Sequence, residues 1–279
     1  MPSTSQFPGL PPPFIGVGRG PVFVVAAPGA QGRRLALWLS TGRELANSRL
    51  AGIESLGDPP GRARDDRWGD LDLARLRGQL AETRARGGGR LQRIEHDARF
   101  ALNVTRLAAW FPNARFVYLY RDVRENLAAM LDRWVAAERP HDSGVTLRDG
   151  RPWVGPLPPG WSALTSRPLP EVVAWQWSTL TAAALDGLSG LAPSRWCVVS
   201  LDRLMSATAD EHRRLRRFLG LRKSATVPAF AQAGEHSPDP ARWLHQADAL
   251  TADVLKRAAR QADRAVRLFA DAPQTRVRD

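Results

Sequence analysis

Apolar residues fall along this chain in two different periods. Val22–Ala27, Ala114–Tyr120 and Trp196–Leu201 are short unbroken runs, rich in β-branched and aromatic residues, of the kind a strand needs when both its faces are covered. Elsewhere the apolar positions recur at steps of three and four. Leu73, Leu76 and Leu80 mark a helix in Leu71–Arg86; Leu107, Ala108, Trp110 and Phe111 mark one in Val104–Phe111; Leu127, Met130, Leu131 and Trp134 mark one in Glu125–Trp134. Glu171–Leu188, Thr208–Leu219 and Thr251–Phe269 predict three more helices, and Arg90–Ile94 is apolar enough for a short further strand. Strands alternating with helices predict a parallel sheet covered on both faces, a three-layer α/β/α fold. No internal repeat interrupts this order.

Breaker residues divide the pattern. Residues 1–20 are rich in Pro, Gly and Ser and read as a disordered lead-in, leaving 21–279 as a single domain. Thr41–Gly89 is weakly patterned, with a polar loop at Gly57–Arg67 and a helix stop at Gly87-Gly88-Gly89. Arg139–Pro170 holds seven of the 22 prolines together with Trp153 and Trp161, which makes it a lid or substrate-binding segment rather than a neutral connector.

The opening stretch Pro21–Ser40 carries the first candidate chemistry. Its order is buried strand, tight Pro28–Gly32 loop, then a helix whose first turn presents unpaired N–H groups, the layout of an anion site. It lacks the Lys-Ser/Thr ending of a nucleotide-hydrolysing loop. Arg121 follows the strand at Ala114–Tyr120, and in open parallel sheets ligands sit beyond the carboxyl ends of the strands.

Composition narrows the classes. With 279 residues and 43% apolar content the chain can bury a large core. No run approaches 18 uninterrupted apolar residues and the amino-terminal stretch lacks a secretory pattern, so the expected location is the cytoplasm. A lone cysteine, Cys197, excludes an internal disulfide, and no cysteine or histidine spacing suggests a metal site. The formal charge of +12 favours anionic ligands without choosing among them. Nucleic acid is one such ligand, but no recognition motif supports it.

Four stretches together resemble the bacterial branch of the sulfotransferase family, enzymes that move a sulfonate group from 3′-phosphoadenosine-5′-phosphosulfate (PAPS) to a hydroxyl or amine. PVFVVAAPGAQGRRL resembles the 5′-phosphosulfate loop, and FPNARFVYLYRDVRENLAAMLDRW closely resembles the 3′-phosphate segment. PPGWSALTSRPLPEVVAWQW is similar to a substrate-loop region, and RWCVVSLDRLMSATADEHRRLRRFLGL to the late strand, loop and helix. The resemblance implies a P-loop-like fold, PAPS as co-substrate without a metal, and a small-molecule, glycan or lipid acceptor. It also implies cofactor contacts at Gly29, Ala30, Gln31, Gly32, Arg33, Arg34, Arg121 and Ala129.

The departures cluster in the same places. The family's bridging Lys or Arg falls on Gly29, or on Ala30 with a one-residue slip, and its Ser and Thr hydroxyls fall on Ala30, Gly32 and Arg33. The serine eight residues after Arg121 is Ala129. One such donor is worth about 10²–10³-fold in rate. Two readings of the loop therefore stand side by side: a working phosphate site in which Arg33 or Arg34 supplies the missing cation, or a vestigial turn with two solvated arginines. Likewise Arg121 holds a 3′-phosphate or forms a strand-end ion pair with Asp122 or Glu125. His96, in the family's Glu-Lys-Thr-Pro region, is a candidate base for the acceptor hydroxyl or a plain strand-end residue. Trp153, Trp161, Trp175 and Trp177 are candidates for an acceptor pocket or for the core. The charge run Arg213, Arg214, Arg216 and Arg217 reads as a solvated helix face. A fold without activity, a binding protein on a sulfotransferase scaffold, is the main alternative to the enzyme.

Overall fold

The structure is a computed structural model that describes residues 20–41, 44–46, 65–86, 92–137, 144–222, 230 and 242–271. Nearly all of the expected lead-in, most of the polar loop Gly57–Arg67, the glycine stop at Gly87–Gly89 and the first residues of the Pro/Trp-rich segment lie outside these residues.

Five parallel strands form the centre: β1 (Val22–Ala26), β2 (Leu45–Ala46), β3 (Gln92–His96), β4 (Arg115–Tyr120) and β5 (Trp196–Ser200), in the order β2-β3-β1-β4-β5. The strand with the purest apolar run, β1, lies in the middle, and all five of its residues are buried. Its register fixes its neighbours, with Val24 opposite His96 on one side and Val117 on the other.

Helices α1 (Gly32–Leu39), α2 (Asp70–Arg86), α3 (Phe100–Trp110), α4 (Val123–Val135), α5 (Leu169–Ser189), α6 (Leu201–Ser206), α7 (Thr208–Leu219) and α8 (Ala252–Asp271) surround the sheet. Alternate strand residues face opposite layers, as the pleat requires. Phe23, Phe116 and Val198 pack with Phe100, Val104 and Leu180. Val24, Val117 and Val199 pack with Leu35, Trp38 and Leu215. A third cluster joins α4, the Pro/Trp-rich segment, α5 and α8 around Trp134, Trp153 and Trp177.

The charge run on α7 is not uniformly solvated. Arg213 and Arg217 are exposed, but Arg214 hydrogen-bonds Glu211 and the Val198 carbonyl, and Arg216, 8% exposed, binds Glu44 and the Arg222 carbonyl. Two more arginines cap helix ends. Arg195 donates to the Ala108 and Phe111 carbonyls at the end of α3, and Arg115 to the Phe218 carbonyl at the end of α7. A guanidinium suits this work because it presents several donors and opposes the negative helix end.

Candidate functional site

The β1–α1 connection lies at the carboxyl edge of the sheet. Gly29 (φ 82°) and Gln31 (φ 64°) both take the left-handed conformation, which turns successive backbone N–H groups toward one side. Gln31 is the one described non-glycine residue with positive φ. Such strain costs about 1–3 kcal/mol. Burying Leu35 and Trp38 of α1 offsets it, at about 1.5–3 kcal/mol for each large apolar side chain. No side chain caps α1 and no acidic residue sits in its first turn, so the N–H groups of Gly32, Arg33 and Arg34 meet no acceptor among the described residues. By contrast α4 is capped by Asp122, which accepts from the N–H groups of Arg124 and Glu125.

Helix α4 holds the loop from one side. The Asn126 amide donates to the Pro28 carbonyl at 2.5 Å, and a Cβ at Gly29 would lie 3.2 Å from that of Ala129. Thus the alanine at the family's serine position is what the loop rests on. Arg121 is 4% exposed; it donates to the Gly29 carbonyl at 2.8 Å and pairs with Glu125 at 3.3 Å. Of the two partners considered for it, Asp122 or Glu125, the ion pair goes to Glu125 because Asp122 caps the helix. Arg124 is exposed and lies over the Trp243 ring.

His96 holds the other side. Its Nδ1 lies 2.9 Å from the Val24 carbonyl, so Nδ1 carries the proton and Nε2 keeps its lone pair. The ring lies against Gly32, where a Cβ would come within 2.3 Å of Cε1, so any larger residue here must push the imidazole aside. Burial holds the imidazole pKa below its ordinary value, and the charges of Arg33 and Arg133 act in the same direction against the Val24 bond and Asp97. Asp97 itself is paired with Arg99 at 2.9 Å.

The two loop arginines divide. Arg34 bonds Gln31 at 3.1 Å and lies over the Phe230 ring, so it braces the turn. Arg33 is exposed and makes no hydrogen bond or ion pair among the described residues. Arg133, which was not singled out in the sequence, is the second cation whose charge reaches His96.

The described part of the Pro/Trp-rich segment is strapped down. Leu157 exchanges hydrogen bonds with Asp66, and Gln176 donates to the Val154 and Pro156 carbonyls. Gly155 approaches Pro28, where a Cβ would lie 3.8 Å from the proline ring. The segment is therefore a fixed wall beside the loop. Trp153 and Trp177 are core residues, while Trp161 and Trp175 remain half-buried. Among the described residues no cluster of His, Cys, Asp and Glu could hold a metal, and no helix is long and apolar enough to cross a membrane.

No protein-family model and no curated protein matches the chain. Solved structures do. A sulfotransferase from Alicyclobacillus acidocaldarius aligns over 88% of this chain and 97% of its own, with 17% identity and a TM-score of 0.50. The sulfotransferase domain of the Synechococcus PCC 7002 olefin synthase aligns over 90% and 97%, with 13% identity and a TM-score of 0.52. A sulfotransferase from Mycobacterium avium aligns over 92% and 76%, with 10% identity and a TM-score of 0.52. At these identities the likeness concerns the fold: the chain has the α/β architecture of sulfotransferases.

Proposed function

We propose that the protein transfers a sulfonate group from PAPS to the hydroxyl of a small-molecule, glycan or lipid acceptor. The observation that carries this reading is that the uncapped α1 N–H groups, Arg33, which pairs with no acid among the described residues, and the His96 ring against Gly32 lie at one loop at the carboxyl edge of a sulfotransferase-type sheet. That donor set fits a phosphosulfate, which when bound supplies an activated sulfonate on a phosphate leaving group. The α1 amides and Arg33 would hold the charge of such an anion. His96, fixed as the neutral Nδ1–H tautomer, accepts the acceptor's proton at Nε2.

The 3′ end fits less well. The Arg121 guanidinium is spent on Gly29 and Glu125, and Ala129 offers no hydroxyl. This favours, as a second reading, a protein that keeps the fold and binds a ligand without turnover. Calorimetric titration with adenosine 3′,5′-bisphosphate, followed by transfer assays from PAPS, separates the two. Saturable binding with transfer supports the enzyme; no binding at millimolar ligand refutes it.

A further inference from the structure

We propose that Arg133 serves the loop as the cation that Gly29 does not supply, closing with Arg33 on a tetrahedral dianion seated on Pro28–Gly32. The proposal rests on the sulfotransferase reading of this loop and adds a residue that the resemblance did not assign.

Three observations place Arg133 there. Asn126, Ala129 and Arg133 are spaced three and four residues apart, so they share one face of α4. The first two of these already touch Pro28 and Gly29. Helical side chains lean toward the amino end of their helix, so the Arg133 stem lies back over Ala129 toward the loop. A serine or larger residue at 129 would narrow that path. The same substitution that removes a hydroxyl from the site thus makes room for a guanidinium.

The opposite bank reports the same location. His96 lies on Gly32 at the other end of the loop, and the charges of Arg33 and Arg133 both act on its imidazole. The groups facing His96 are the Val24 carbonyl, Asp97, Arg33 and Arg133, and Asp97 is taken by Arg99.

Finally, Arg133 has no counter-ion among the described residues. Among the described residues Arg99, Arg121, Arg214 and Arg216 each pair with a carboxylate, Arg115 and Arg195 are satisfied by main-chain carbonyls, and Arg133 and Arg33 make neither kind of contact. Arg133 is exposed, and the protein around it lowers its pKa through desolvation. A cation held in such a place without an acid is stabilised by a bound anion.

The test uses the full chain, inorganic pyrophosphate as the probe, and the His96 ring protons followed by NMR across pH. In the free protein Arg133→Gln should raise the His96 pKa, because a repelling cation is gone. The same variant should weaken pyrophosphate binding about tenfold or more, the scale of one lost charge-assisted hydrogen bond. Arg133→Lys should restore the His96 titration and part of the affinity, and Arg222→Gln, on an exposed side chain, should change neither. Unchanged pyrophosphate affinity in Arg133→Gln overturns the proposal, with or without a shift at His96, and so does a wild-type protein that does not bind the probe. If pyrophosphate binds through Arg133 but adenosine 3′,5′-bisphosphate does not bind and no sulfonate moves, the sulfotransferase reading fails and the role of Arg133 stands.

Discussion

The side chain of Asn126 and the carbonyl of Pro28 meet at 2.5 Å across 98 positions of sequence, tying the first turn of α4 to the loop after β1. Both groups are buried, so neither can turn to water if its partner is lost. Asn126→Ala should destabilise the protein by about 1–3 kcal/mol, the cost of an unsatisfied buried acceptor. Asn126→Asp should cost more at neutral pH, since it sets a carboxylate against a carbonyl oxygen. Urea unfolding of the three proteins gives the comparison; equal midpoints would show that the bond contributes nothing.

Arg121 offers a separate prediction, because it joins the Gly29 carbonyl of the loop to Glu125 on α4. Arg121→Met removes the cation beside a Glu125 carboxylate that is 12% exposed, and removing one member of a buried pair costs about 3–5 kcal/mol. Arg121→Met combined with Glu125→Gln should recover much of that stability while leaving the Gly29 carbonyl without its donor. If the double variant is as unstable as the single one, the ion pair is not the dominant interaction.

Gly32 and Gly29 should respond differently to alanine. At Gly32 the added methyl meets the His96 ring, so Gly32→Ala should move the imidazole and alter its titration with the fold intact. At Gly29 the backbone is left-handed and Ala129 is close, so Gly29→Ala should lower stability and displace the whole loop. NMR of His96 in both variants, alongside thermal unfolding, distinguishes a moved ring from a moved loop.

The histidines set a pH dependence with a definite sign. His96 and His212 both have folded-state pKa values below the ordinary 6.5, in each case chiefly through burial. Both are more readily protonated in the unfolded chain, so stability should be full above about pH 6.5 and fall as the pH drops below it. Any transfer activity that uses His96 as base should hold down to a pH below the usual histidine range and then decline. Removing His212 by His212→Gln should lessen the acid loss of stability without moving the acid limb of activity.

Cys197 is buried in β5, and burial pushes its thiol up to about 12. A neutral, enclosed thiol is a poor nucleophile. The native protein should react with disulfide reagents only as fast as it unfolds, while denaturant should release one equivalent at once. Rapid native labelling would contradict the burial.

How much of this was legible beforehand varied by element. Strands β1, β4 and β5 announced themselves because strands buried on both faces must be apolar throughout. The chain path through β3 was harder, since Gln92–His96 has one apolar residue and is held by its pairing with β1. The start of α3 was read four residues late because Asn103 interrupts the apolar spacing. That residue is nevertheless buried, exchanging hydrogen bonds with Trp68, Asp66 and Arg99. Helix α6 was hidden because its first residue, Leu201, continues the apolar run of β5. In the candidate site, the Pro28–Gly32 loop was named from the strand–loop–helix order, and His96 and Ala129 from the resemblance. Arg133 did not, being one arginine among many; its step of four from Ala129 was the available signal.

The arginines that close the ends of α3 and α7 bear on what the net charge means. Arg115, Arg195, Arg214 and Arg216 all reach inward to main-chain carbonyls, so part of the basic excess is scaffolding rather than an outward bid for anionic partners. A version of this protein recoded with lysine at those four positions would carry the same formal charge and migrate alike in a field. It would nevertheless come apart sooner, because a single ammonium cannot span the Ala108, Phe111 and Ala114 carbonyls as Arg195 does, or join a carbonyl to a carboxylate as Arg214 and Arg216 do.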